Sequence, residues 1–199
     1  FQLLHSSPST QTLGMSMIRA KRLKLSQAEN SGSSMDNQER NSLDSVERIK
    51  AEWRRKGDQA LTEMLVKSVW VGMVDEGRVL LQWETRLLLV QWRPLFVELI
   101  AQRLLHAFGQ LQPRQQYKVT VASSLLEHAP LLGEYFGMRV EADCMALPEI
   151  LAGCEYKVEG LIAKLIQVNW QEEEACFRGI MAALTASLRP KVVSPEWFT

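Results

Sequence analysis

Apolar residues at Leu80, Trp83, Leu87, Val90, Pro94, Val97, Ala101, Leu104 and Phe108 step alternately by three and four. That spacing is the seam of a helix whose apolar stripe packs along another helix. A second series, Leu61, Leu65, Val69, Met73, Gly77 and Leu81, advances by fours just before it. The stretch from Asp44 to Trp92 contains no proline, and its only glycines are Gly57, Gly72 and Gly77. Its composition favours helix. The expectation is a long helical region over 45–110 that pairs with another helix through Leu80, Trp83, Leu87 and Val90.

Pro94 interrupts the seam. A proline either kinks a helix or sits in the first turn of a new one. Arg93 is a poor N-cap, so a kink is expected. Trp53, Trp70, Trp83 and Trp92 all fall in this region. A single helix cannot bury them alone, so they serve either packing within the chain or a partner helix.

The last third alternates shorter patterns. "YKVTV" sets Tyr117, Val119 and Val121 on one face of a strand. "SSLLEHAPLLGEYF" reads as a helix disturbed at Pro130 and stopped near Gly137. "MRVEAD" turns Met138, Val140 and Ala142 inward, and "CEYKV" does the same for Cys154, Tyr156 and Val158. Glu159-Gly160 then reads as a hairpin turn, with "LIAKLIQV" as its second strand. Asn169 and Glu172 have cap-and-box spacing for a terminal helix. The apolar stripe of that helix is Phe177, Ile180, Met181, Leu184 and Leu188.

At the other end, "SSPST" and "NSGSSMDNQERNS" carry few large apolar groups, so residues 1–44 are expected to form a largely disordered arm. The whole chain has 199 residues with 23 basic and 23 acidic side chains. The balance argues against a nucleic-acid-binding face, and "RAKRLK" is the one concentrated basic run. No apolar run is long enough to predict a membrane-spanning helix.

Chemical candidates are few. Cys144, Cys154 and Cys176 lack the paired ligand spacing of a zinc site, and His5, His106 and His128 are scattered. Cys154 shares the inward face of a strand, as a buried thiol does. The acids of "QEEEAC" suit the first turn of a helix, where they meet the positive end of its dipole. No phosphate-binding glycine loop or nucleophile elbow is present. The residues therefore point to no catalytic site, no cofactor and no metal, and the chain is expected not to be an enzyme.

Three stretches resemble the stator, or ATPase-regulator, family of bacterial type III secretion systems and flagella, which is related to rotary-ATPase peripheral stalks. They are "MIRAKRLKLSQAE", "VWVGMVDEGRVL", and residues 117–165 with "VEAD", "GCEYKVEG" and "LIAKL". The resemblance implies a non-catalytic, homodimeric tether in the bacterial cytoplasm, peripheral at the inner membrane through the secretion apparatus. Its C-terminal domain would bind the secretion ATPase. Its N-terminal arm would bind the cytoplasmic ring or sorting-platform protein through Ile18, Arg19, Leu23 and Leu25. It implies neither a nucleic-acid partner nor direct membrane insertion. A type III secretion chaperone or adaptor is the alternative.

The expected fold is thus α+β. A long helical, coiled-coil-like arm precedes a small α+β domain with a mixed or antiparallel sheet and a terminal helix. The expected divisions are 1–44 arm, 45–110 helical dimerisation region, 111–190 ATPase-binding domain and 191–199 tail.

Overall fold

Two tight turns decide the fold of the middle of the chain. In the computed structural model, which describes residues 44–193, Glu76-Gly77 and Glu84-Thr85 each reverse the backbone. They divide 69–91 into three antiparallel strands: β1 (Val69–Asp75), β2 (Arg78–Trp83) and β3 (Arg86–Gln91). At the first turn Asp75 accepts the Gly77 N–H at 2.9 Å and pairs with the Arg78 guanidinium at 2.7 Å. At the second, Glu84 takes the left-handed conformation at φ 53°, as tight hairpin turns require.

The seam expected along 80–108 is therefore not one helix. Leu80 and Trp83 lie on β2, and Leu87 and Val90 on β3. The strand segments carry Val, Leu and Trp in both alternating sets, so a three-four step can be traced through them as easily as alternation. Short apolar runs bounded by turns are strands more often than helix, and this region shows why length must arbitrate.

Among the described residues α1 (Asp44–Lys56) and α2 (Gln59–Val66) precede the sheet, and α3 (Trp92–His106) comes after it. Asp58 caps α2 by accepting the Leu61 N–H at 3.0 Å. Gln91 is the N-cap of α3, so Pro94 sits in the first turn of a new helix, where its missing N–H costs no hydrogen bond. The expected kink is not there.

Beyond α3 lie β4 (Pro113–Lys118), α4 (Ser123–Leu126), α5 (Ala129–Phe136), β5 (Arg139–Val140) and β6 (Cys144–Pro148). The second sheet runs β4-β6-β5. The chain ends in β7 (Cys154–Tyr156), α6 (Val158–Leu165), α7 (Glu173–Ser187) and β8 (Leu188–Pro190), with β8 pairing β7. Glu159-Gly160 is thus not a hairpin turn but lies inside α6. The buried residues Val158, Leu161 and Leu165 step by three and four, and that stripe outweighs the turn dipeptide. Ala142, expected inward, is exposed. Asn169 is not the cap of α7. Glu172 is, accepting the Glu174 and Ala175 N–H groups, while Asn169 accepts from Gln171.

The core gathers around α7, which packs against α1, α3 and α6. Phe177, Ile180 and Leu184 on it are fully buried. Phe108, Tyr135, Phe136 and Phe177 form an aromatic cluster with centroid separations of 5.2 to 6.0 Å. Polar contacts fasten α1 to α7. Arg178 pairs with Glu52 on α1 and with Glu174 at 2.9 Å, and Ser45 donates to Glu173. The Lys56 and Arg178 hydrogen bonds hold the Glu52 carboxyl down to about 2.

The second and third sheets are also linked. Tyr117 donates to Gln115 at 2.7 Å and accepts the Tyr156 N–H at 3.1 Å, and Gln115 donates to the Cys154 carbonyl. Ile18, Arg19, Leu23 and Leu25 lie outside the described residues, as do the rest of 1–43 and 194–199.

Candidate interaction surface

The first sheet is apolar on both faces. Trp70, Val79, Leu81, Leu88 and Val90 point to one side, where Val79 and Leu81 are fully buried in the core. Cross-strand partners share a face. Val69 pairs with Gln82, Gln82 with Leu87, and Leu80 with Leu89, which places these residues together on the opposite side. There Val69, Leu87 and Leu89 are 65%, 63% and 54% exposed. Val71, at a register shift in β1, is exposed too. A soluble domain usually turns polar residues outward from a half-covered antiparallel sheet. Contiguous exposed apolar area instead marks an interaction site.

The apolar surface continues along neighbouring elements. Leu61 and Val66 on α2 are exposed, and Val66 lies three residues before β1. A cleft of about 700 Å³ between α1–α2 and α3 is lined by Trp53, Leu61, Leu65, Val66, Leu95 and Leu99, with Lys56, Asp58 and Glu98 among its polar residues.

No comparable arrangement of reactive groups is found among the described residues. The three cysteines are unpaired thiols. Burial pushes Cys154 up to about 11 and Cys176 up to about 12. Cys144 donates to Glu141 at 3.2 Å, and that bond raises its pKa as well. A nucleophilic or redox-sensing thiol needs the opposite shift. Donor atoms of Glu141, Asp143 and Cys144 lie within 4.8 Å of one another, on the surface, a grouping common without an ion.

His128 is buried and stacks on Trp170 at 3.8 Å with the rings 5° from parallel. Burial lowers its pKa, against a smaller opposing effect of Glu127. The folded state thus favours the neutral ring. Its contribution is complete above the ordinary value of 6.5 and falls as the pH drops below it, where the unfolded chain takes up a proton first. Urea titrations at pH 7 and pH 5 should show a larger loss of stability for the native chain than for His128→Phe, which keeps a stacked ring without the titration. Equal losses would remove His128 as the cause.

The family model for the C-terminus of DNA mismatch repair protein Mlh1 matches residues 42–115 and 112–196. The chain belongs to the Mlh1 C-terminal family. The match takes in the helices, all three sheets and the exposed apolar face, and it overturns the resemblance to secretion stators. A Mlh1 C-terminal domain belongs to DNA mismatch repair, so neither a stator nor a secretion chaperone describes it. The secretion ATPase and the ring or sorting-platform protein are withdrawn as partners, together with the homodimeric tether built on them. So is a place at the secretion apparatus of the inner membrane. The physical reason is in the middle of the chain. The stretch "VWVGMVDEGRVL", expected within a stiff helical arm, is a β-hairpin of the Mlh1 C-terminal fold. Among the described residues no helix is long and apolar enough to cross a membrane.

Of the four seam residues, Leu80 and Leu87 fall on the exposed face of the Mlh1 C-terminal sheet, while Trp83 and Val90 fall on the other. Sequence reasoning missed Val69, Val71 and Leu89. The signal was present in "RLLLVQ", an apolar run too short for a helix between the turn at Glu84-Thr85 and the start of α3. When both alternating sets of such a strand are apolar, both faces need cover.

Proposed function

We propose that this chain is a non-catalytic protein-interaction domain of the DNA mismatch repair machinery, and that it binds another MutL homologue through the exposed face of its first sheet. The observation that carries this reading is the apolar set Val69, Leu87 and Leu89 on a face that the other described residues leave open. Membership of the Mlh1 C-terminal family supplies the repair context and the class of partner.

Each leucine buried by a partner contributes about 1.5–3 kcal/mol relative to leaving it exposed. Replacing both by charge removes that contribution and adds a desolvation cost. Leu87→Asp/Leu89→Asp should therefore weaken binding to the C-terminal region of a MutL homologue from the same organism by about 100-fold or more. Both side chains are exposed, so the variant should keep the native circular dichroism. Titration calorimetry against each MutL homologue of that organism checks this. Binding undiminished by the double substitution would place the contact elsewhere.

A further inference from the structure

We propose that the partner completes the first sheet by laying an extended strand along the free edge of β3. The inference rests on the reading of the chain as a MutL-homologue-binding domain and goes further, to the backbone chemistry of the contact.

The direction of each β3 amide is set by the pairing. Antiparallel ladders alternate between residue pairs that exchange hydrogen bonds and pairs whose N–H and C=O groups point away. Trp83 and Arg86 flank the two-residue turn and form a hydrogen-bonded pair, as in the tight hairpin type. Counting onward, Leu88 and Val90 bond to β2, while Leu87, Leu89 and Gln91 turn their amides outward. The other end of the strand agrees with this phase. Trp92 N–H donates to the Gly77 carbonyl at 3.3 Å, so its neighbour Gln91 faces away. Among the described residues no backbone hydrogen bond reaches β3 from the outer side.

Exposed edges are normally blunted by bulges, prolines, charges or brevity. The other edge strands show these devices. β1 has two register shifts. β4 starts at Pro113, carries Arg114 and Lys118, and has a register shift of its own. β5 has two residues, β7 and β8 three each, and β8 ends in Pro190. β3 pairs with β2 in unbroken register from Arg86 to Gln91, and between those two ends it is Leu-Leu-Leu-Val. An edge this regular and apolar is a template for another strand. A helix laid on the sheet would cover Leu87 and Leu89 but would leave the outward amides unpaired. The complementary segment is an extended stretch of the partner, apolar where it lies beside Leu87 and Leu89, without proline where it meets the β3 carbonyls.

Amide hydrogen exchange on the whole chain, free and bound to the C-terminal region of the MutL homologue, reads the pairing directly. The Leu88 and Val90 amides should be protected in both states. Those of Leu87, Leu89 and Gln91 should exchange freely alone and slow by at least about tenfold in the complex. A second measurement isolates one hydrogen bond. Gln91 has φ −75°, a value proline adopts without strain. Gln91→Pro removes the outward N–H, whereas Gln91→Ala loses the same side chain and keeps it. Gln91→Pro should bind about 3- to 10-fold more weakly than Gln91→Ala. If the complex forms while the three amides stay fast, or if the two variants bind alike, the edge contact is wrong and docking on the face alone remains. If no MutL homologue binds, the proposed function fails and this inference with it. Should Gln91→Pro not fold, the exchange pattern of the unaltered chain decides.

Discussion

Gly137→Ala is expected to destabilise the domain by about 3 kcal/mol or more. Gly137 ends α5 at φ +61°, and a left-handed backbone costs an alanine roughly 1–2 kcal/mol. Space is the larger obstacle. A Cβ at this position would lie 2.5 Å from the carbonyl carbon and oxygen of Leu111. That neighbour is backbone, which cannot rotate aside, and forced overpacking adds typically 1–3 kcal/mol. Gly153 supplies the control. Its φ is +77°, yet nothing lies within 4 Å of the added carbon. Gly153→Ala should therefore carry the conformational cost alone, roughly 1–2 kcal/mol. Urea unfolding of the two variants tests the difference, and equal losses would show that the approach of Leu111 is not what fixes Gly137.

Phe177→Ala should cost about 3–5 kcal/mol, a large fraction of the 5–15 kcal/mol typical of a domain. Phe177 is fully buried on α7, with ring centroids of Phe108 and Tyr135 at 5.2 and 5.4 Å. Truncation removes the ring and leaves a cavity beside Phe108, Tyr135 and Phe136, whose rings are fixed by one another and cannot fully collapse into it. Phe177→Leu keeps most of the volume and should cost less than about 2 kcal/mol. The two urea midpoints should separate clearly. If leucine proves as damaging as alanine, the edge-to-face contacts matter more than the volume.

What the sequence made legible depended on whether two patterns competed for the same residues. The stripe of Phe177, Ile180, Met181, Leu184 and Leu188 has polar or small residues between most of its members, and all five are buried, the first four on α7 and Leu188 at the start of β8. Gly137 is a stop signal with no rival. Cys154, Tyr156 and Val158 alternate inward whether the next element is a turn or a helix, so their burial could be read although α6 could not. Between Val69 and Gln91 apolar residues fall in both alternating sets of the strands, so helical and strand periods both find matches. There the only discriminating signals are the two short turns. One of them, Glu84-Thr85, contains no glycine although Glu84 adopts φ 53°. The same ambiguity hid the candidate surface. A residue such as Leu89 is unremarked in a helix and conspicuous only once a strand puts it on the face opposite the half-buried Leu88.

The central position of α7 also sets the order in which this domain can be made. The helix lies near the end of the described chain, yet it contacts α1, α3 and α6, and its Arg178 reaches back to Glu52. Contacts so distant in sequence slow folding, because the intervening chain must be closed before they form. A ribosome adding about 5–20 residues per second needs roughly 5–20 s to travel from Gln91 to Ser187. Throughout that interval the first sheet is complete, while α1 and α3 lack the helix they pack against and no partner covers Val69, Leu87 and Leu89. The exposed apolar face and the β3 edge are then open to other nascent chains. Early chaperone cover or prompt assembly with the partner would shorten that exposure, which makes the timing of synthesis a determinant of yield for this domain.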